Sequence, residues 1–385
     1  MTGLHQDLGN LMRYPNKTII RHKLVVPRSA RQILQPEEVY SSANRSRIVR
    51  KKIVIFLNFL MTMAVLITFL ILLLYYCGAS IYNKPGPLPV NSIFLIQNGE
   101  SLQDIMDNLI RNNIISDNRV VFQYMTRLHL GSHKLQAGEY EIKKSASMAE
   151  VIEIIRSGKR ILHSVSFPEG LTVKQILKRL KEHPILEGDL PSQLPIEGSL
   201  RPDTYKFSWG TKRMEIIEQA RFAQQKLVDD IWERRDRDLP IKNKKQFVIL
   251  ASIVEKETGR SDERAHVASV FMNRLKKGIK LQSDPTIIYG IFEGEAKPKD
   301  RPIYQSDLDK KTPYNSYVIK GLPPTAISNP GRASLEAVAN PSHTDDLYFV
   351  SDGMGGHVFS KTLKEHNINV QHFRQINSRK KDKTN

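Results

Sequence analysis

From Ile53 to Tyr76 the chain reads IVIFLNFLMTMAVLITFLILLLYY, 24 positions without a charge, of which only Asn58, Thr62 and Thr68 are notably polar. As a helix this run would rise about 36 Å at ~1.5 Å per residue, enough to cross a hydrocarbon core of about 30 Å. Tyr75 and Tyr76 suit the interface at its far end. Beyond it the pattern turns amphipathic and repeats. Ser101 is followed by Ile105 and Leu109, Ser147 by Val151 and Ile155, and Thr172 by Ile176 and Leu180. Each is a Ser/Thr cap with an apolar stripe at helical period. The strand-like pieces SIFLI (92–96), GEYEI (138–142) and HSVSF (163–167) precede these three helices, which suggests small α+β modules.

NKPGPLPVN (83–91) reads as a Pro/Gly linker that lifts the rest off the bilayer. Residues 215–236 alternate apolar and charged positions and predict a solvated amphipathic helix. From Phe247 to about Gln375 the chain is dense in short, turn-rich motifs, and SRKKDKTN closes it as a basic, disordered tail.

One helical stretch, FVILASIVEKETG, runs its apolar stripe into a carboxylate. Phe247, Leu250, Val254 and Glu257 fall on one face, and Glu255 falls with Val248 and Ser252 on another, more polar one. Gly259 is placed to end the helix as a left-handed cap. A carboxyl at the end of an apolar stripe is partly desolvated, which raises its pKa and suits a general acid. A solvated, salt-bridged last turn gives the same letters.

Charge and composition narrow the setting. A net charge of +18 over 385 residues favours a polyanionic neighbour. Residues 1–52 hold 11 Lys and Arg against three acids, and RSRIVRKK abuts the apolar run. The positive-inside rule therefore puts the N-terminus in the cytoplasm and the large C-terminal part outside. That topology removes nucleic acid as the partner of the bulk of the chain. The apolar run starts too late and is too long for a cleaved signal peptide. The lone Cys77 allows no intrachain disulfide and no Cys-based zinc site. No metal-ligand spacing is visible, and no cofactor is expected. A pyridoxal-phosphate lyase would need a phosphate cup, and LQSDPT and SDGMGG are poor ones.

Taken in order, IVEKET, VASVFMNRL, LQSDPTIIYG, TPYNSYVIKGLPP, AISNPG and LYFVSDGMGGHVFS resemble the YceG-like endolytic murein transglycosylases from about Ser92 to His372. The resemblance implies a single-pass enzyme of the inner membrane with an extracytoplasmic catalytic domain. Its substrate would be the β-1,4 bond between N-acetylmuramic acid and N-acetylglucosamine in nascent peptidoglycan strands, with peptidoglycan synthases as associates. It places the catalytic glutamate at Glu257, acting as acid and then as base to leave a 1,6-anhydro end. The sequence departs from the family at EGSLRPDTYKF, where Ser199, Leu200 and Arg201 stand in place of aromatics.

The expected fold is α+β. It comprises a cytoplasmic basic arm (1–52), a transmembrane helix (53–76), a linker (77–91), a LysM-like α+β module (92–160), an α+β catalytic domain (161–375) and a tail (376–385). Gln282, Asp284, Tyr314 and Asn315 are expected to line the glycan groove, although Asp284 before Pro285 serves equally as a turn residue. Asn273 and Arg274 are expected as framework, and Gly355, Gly356 and His357 as a turn. The competing reading is a non-catalytic, membrane-anchored peptidoglycan-binding scaffold, which would have no use for a desolvated proton donor.

Overall fold

The computed structural model describes residues 44–130 and 135–382. Most of the expected basic arm, residues 1–43, lies outside them. Helix α1 (Asn44–Tyr82) contains the apolar run, and its segment Lys51–Tyr82 is long and apolar enough to cross a membrane. Its side chains stand exposed from Ile53 to Tyr76, as a lipid-facing surface requires. The hydroxyls of Thr62 and Thr68 donate to carbonyls four residues back, at 2.8 Å each, so neither carries an unmet donor into an apolar medium.

From Tyr76 onward the chain builds mixed helix and strand around three cores. The first gathers β1 (Ser92–Ile96), α2 (Leu102–Arg111), α3 (Arg119–Leu130), β2 (Gly138–Ile142) and α4 (Met148–Arg156). β1 and β2 pair antiparallel, with Ser92 opposite Ile142 and Ile96 opposite Gly138. The register turns Phe94, Ile96, Tyr140 and Ile142 inward, where each is under 5% exposed. Ser101 and Ser147 each form a reciprocal capping box, with Asp104 and Glu150 respectively.

The expected linker belongs to this core instead of standing clear of it. Tyr82 and Leu88 are buried, and Ser145 N–H donates to the Leu88 carbonyl while Gly86 N–H donates to that of Ser145. The proline and glycine content reflects close packing: a Cβ on Gly86 would sit 2.4 Å from the Ala146 oxygen and 2.8 Å from that of Ile114. Gly86→Ala is therefore expected to destabilise the protein by about 2 kcal/mol, read as a lowered urea midpoint; an unchanged midpoint would mean that the segment detaches freely.

The second core joins β3 (His163–Ser166), α5 (Val173–Glu182), β4 (Thr204–Phe207) and the first half of α6 (Arg213–Glu233). β3 and β4 pair antiparallel, and Thr172 completes the third capping box, with Gln175. α6 is not the solvated helix its charges suggest. Ile216, Ile217 and Ala220 enter this core, while Leu227, Val228 and Ile231 enter the next.

The third core centres on α7 (Lys244–Glu257), which packs against α8 (Arg264–Lys276) and α11 (Arg332–Ala339). Every residue of α7 from Ile249 to Val254 is buried, so it is a central helix rather than one with a single apolar face. Ser252, expected on a polar side, is 0% exposed. It accepts a hydrogen bond from Ile327 N–H at 3.0 Å and donates to the Ile249 carbonyl. Between α8 and α11 lie the short helices α9 (Asp284–Phe292) and α10 (Gln305–Asp309). The antiparallel pair β5 (Tyr348–Ser351) and β6 (His357–Ser360) and helix α12 (Leu363–Asp382) complete the fold. The tail expected from residue 376 begins inside α12, which continues helical to Asp382.

Candidate active site

Glu257 is the last residue of α7. The helix stops because Thr258 turns extended, at φ −136° and ψ 131°, and not through a left-handed glycine at 259. This abrupt end leaves the Glu257 carboxyl half-buried against the segment that opens α9. Burial pushes its pKa up from the usual carboxylate value to about 7, and the charge of nearby Asp284 pushes the same way. Two groups oppose the rise. One is the Ser283 hydroxyl, which has no other hydrogen-bond partner among the described residues; the second is the Arg274 guanidinium.

α8 supplies Arg274 and locks it. Its Nε donates to the Leu347 carbonyl at 2.6 Å, and Nη1 donates to the carbonyls of Lys280 and Leu281 and to Gln282 Oε1 at 3.2 Å. The guanidinium carbon lies 5.1 Å from the centre of the Tyr348 ring. Arg274 thus carries the framework duty expected of it and also faces the acid. Gln282 adopts a left-handed backbone, φ 52°, held by its N–H to the Ser316 carbonyl. A non-glycine residue kept in that region marks a place where surrounding structure overrides local preference.

Asp284 begins α9 with Pro285 behind it, a conformation suited to a helix start. Its Oδ1 accepts a 2.7 Å hydrogen bond from the Tyr317 hydroxyl. Burial and the Asp284 carboxylate both hold the Tyr317 hydroxyl protonated, with Glu257 adding to the effect. Glu257, Arg274, Gln282, Ser283, Asp284 and Tyr317 therefore form one cluster, in which a second carboxylate does accompany Glu257. Gln282 and Asp284, expected in the groove from the sequence, belong to this cluster together with Tyr317, which lies three residues beyond the expected Tyr314 in TPYNSY.

Tyr314 and Asn315 are engaged by other partners within the protein. The Tyr314 hydroxyl pairs with that of Thr325 at 2.8 Å, and its ring lies 4.8 Å from that of Tyr289. Asn315 is 1% exposed. Its amide donates to the carbonyls of Asp307, Leu308 and Lys310, and its oxygen accepts from Tyr317 N–H. That side chain holds the loop which presents Tyr317.

A further perturbed carboxyl went unread in the sequence. Burial raises Glu197 to about 7 against hydrogen bonds from Val173 N–H, Tyr289 hydroxyl and the Asn329 amide. Asn329, from AISNPG, also accepts from Leu200 N–H and donates to the Leu171 carbonyl, so this motif ties three segments together. Glu255 accepts a hydrogen bond from Gly331 N–H at 2.9 Å, a contact with the start of α11 rather than with the cluster. His357 pairs with Glu263 at 2.7 Å.

Residues 94–372 match the family model described as the YceG-like family. Over 326 residues the chain is 31% identical to a Bacillus subtilis protein named endolytic murein transglycosylase, covering 75% of this chain and 88% of that protein. It is 24% identical to a Streptococcus pneumoniae protein of the same name, covering 71% of this chain and 57% of that one. A crystal structure of a yceG-like protein from Listeria monocytogenes aligns at a TM-score of 0.46 with 29% identity, covering 72% of this chain and 98% of the other. With the family model spanning well over half of its length, the chain belongs to the YceG-like family.

Proposed function

We propose that this protein is an endolytic lytic transglycosylase that cuts the bond between N-acetylmuramic acid and N-acetylglucosamine in nascent peptidoglycan strands. The observation that carries the reading is the Glu257 carboxyl, raised to about 7 at the abrupt end of α7. The names of the relatives agree with it. At neutral pH such a group holds a proton for a useful fraction of the time and can release it.

Glu257 donates that proton to the glycosidic oxygen as the bond to the muramic C1 breaks. The C6 hydroxyl of the same muramic residue then attacks C1, and Glu257 takes up its proton. The product ends in a 1,6-anhydro ring and no water is consumed. Hydrolysis would instead engage a second carboxylate. Asp284 is present, but its carboxylate accepts from the Tyr317 hydroxyl. In this account it stabilises positive charge developing at C1, and Arg274 steadies the ionised form of Glu257.

The basic run RSRIVRKK at the start of α1 supports an N-terminus in the cytoplasm and a catalytic part on the outer face of the inner membrane. The order strand–helix–helix–strand over 92–142, with the strands antiparallel, supports a LysM-like glycan-binding role for the first module.

The test is digestion of uncrosslinked glycan strands by the full chain in detergent, with products read by mass spectrometry. Anhydro ends are expected. Reducing ends would mean hydrolysis, with Asp284 as the second acid. Glycan binding without cleavage would mean the scaffold reading.

A further inference from the structure

Glu257 and Asp284 together are the pair a hydrolase would use. Glu257 holds a proton near neutral pH. Asp284 is exposed at the start of α9, where water reaches it. A carboxylic acid beside a carboxylate that can activate water is the set an ordinary inverting glycosidase employs. The lytic reaction consumes no water, so some feature of the cluster has to decide between water and the muramic C6 hydroxyl.

One contact separates this pair from a free acid and base. The Tyr317 hydroxyl donates to Asp284 Oδ1 at 2.7 Å, and the Asp284 carboxylate has no other hydrogen bond and no ion pair among the described residues. The donor is fixed in place. Its ring is half-buried, and burial together with the Asp284 and Glu257 carboxylates keeps the phenol protonated. Its N–H donates to Asn315 Oδ1 at 2.9 Å, while the Asn315 amide is committed to three carbonyls of the same loop. A phenol that keeps its proton donates to the carboxylate and takes nothing from it. A hydrogen bond of this kind favours the charged form of a carboxylate and so opposes the uptake of a proton.

We propose that Tyr317 sets the product of the reaction: its hydrogen bond withholds Asp284 from water and leaves the muramic C6 hydroxyl as the nucleophile at C1. Tyr317 is a positioning residue that acts through Asp284, and the assignment rests on the proposed function. With the bond in place, Asp284 contributes negative charge beside C1 and accepts no proton. Without it, Asp284 takes a proton from water, and the water oxygen bonds to C1 as the glycosidic bond breaks. The glycosidic oxygen leaves with the proton of Glu257. The proton on Asp284 then returns to Glu257 through solvent, which restores both groups, and the new end is a reducing one.

The test gives uncrosslinked glycan strands to the full chain in detergent, in water enriched in heavy oxygen, and reads the new ends by mass spectrometry. Wild type is expected to form unlabelled anhydro ends. A positioned general base is worth about 10²–10⁴-fold, set against the proximity advantage of an intramolecular hydroxyl. In Tyr317→Phe the share of labelled reducing ends is therefore expected to rise at least about tenfold. Tyr317→Phe combined with Asp284→Asn should form anhydro ends alone and more slowly, because an amide is no base. A tyrosine with a purely structural role would slow cleavage and leave the ratio of ends unchanged. That result overturns the proposal and leaves the lytic reaction standing. So does a folded Tyr317→Phe that cleaves nothing, or a labelled share that persists in the double variant, since another group would then activate the water. Labelled reducing ends as the main product of wild type would overturn the lytic reaction and this proposal together.

Discussion

Glu257→Gln is expected to lower strand cleavage at least about a thousandfold while leaving a folded protein that is more stable than wild type above neutral pH. The loss follows from the role: an amide has no proton to give, and no other group with a pKa near neutrality belongs to the cluster. The gain follows from linkage. The folded-state pKa of Glu257, about 7, exceeds its ordinary value of 4.5. Its favourable contribution is therefore fully present below about pH 4.5 and is lost as pH rises through about 7. Above that, a half-buried carboxylate weighs against the native state by on the order of 2 kcal/mol, a burden that glutamine of the same shape removes. Chemical unfolding of both proteins at pH 5 and pH 8.5 checks it. A variant that is inactive and also less stable at pH 8.5 would mean that Glu257 is needed for the fold rather than for the chemistry.

The second large effect is expected at Arg274. Arg274→Met fills much of the volume but strands the carbonyls of Leu347, Lys280 and Leu281, at a cost of about 3 kcal/mol in urea unfolding. It also removes the positive charge that holds Glu257 down, so the Glu257 pKa moves further up. Activity should then survive to higher pH even as its maximum falls. Arg274→Lys separates the two effects: it keeps a charge but not the planar fork, so it should recover the pH profile more fully than the stability. If Arg274→Met melts early with an unchanged pH profile, the guanidinium is structural only.

The local features that a sequence states directly were the most legible. The apolar run and the three Ser/Thr caps need only hydropathy and i→i+3 chemistry, and each corresponds to a helix of the structure. Long-range packing was not legible. The Pro/Gly stretch before β1 carries the composition of a linker, yet Gly86 is there because two carbonyls pass too close for a side chain. The stripe through α7 put Glu257 on an apolar face, but α7 is buried on nearly all sides. The groups that act on the Glu257 carboxyl, among them Ser283, Asp284 and Tyr317, reach it from 26 or more residues away in sequence. The choice between Tyr314 and Tyr317 depends on which way the 312–317 loop turns. That turn is set by Asn315, whose amide is committed to three carbonyls. Glu197 offered no local signal, since its partners Val173, Tyr289 and Asn329 are scattered over more than 150 residues.

The central claim is that Glu257 delivers a proton from a pKa near neutrality, and its most direct test is the pH dependence of kcat/KM on uncrosslinked glycan strands. Because Glu197 also sits near 7, the measurement pairs wild type with Glu197→Gln. Both proteins should hold their activity on the acid side and lose about tenfold per pH unit above about pH 7. A rate that stays flat into alkaline solution, or a limb that disappears in Glu197→Gln, would contradict the assignment of the proton to Glu257.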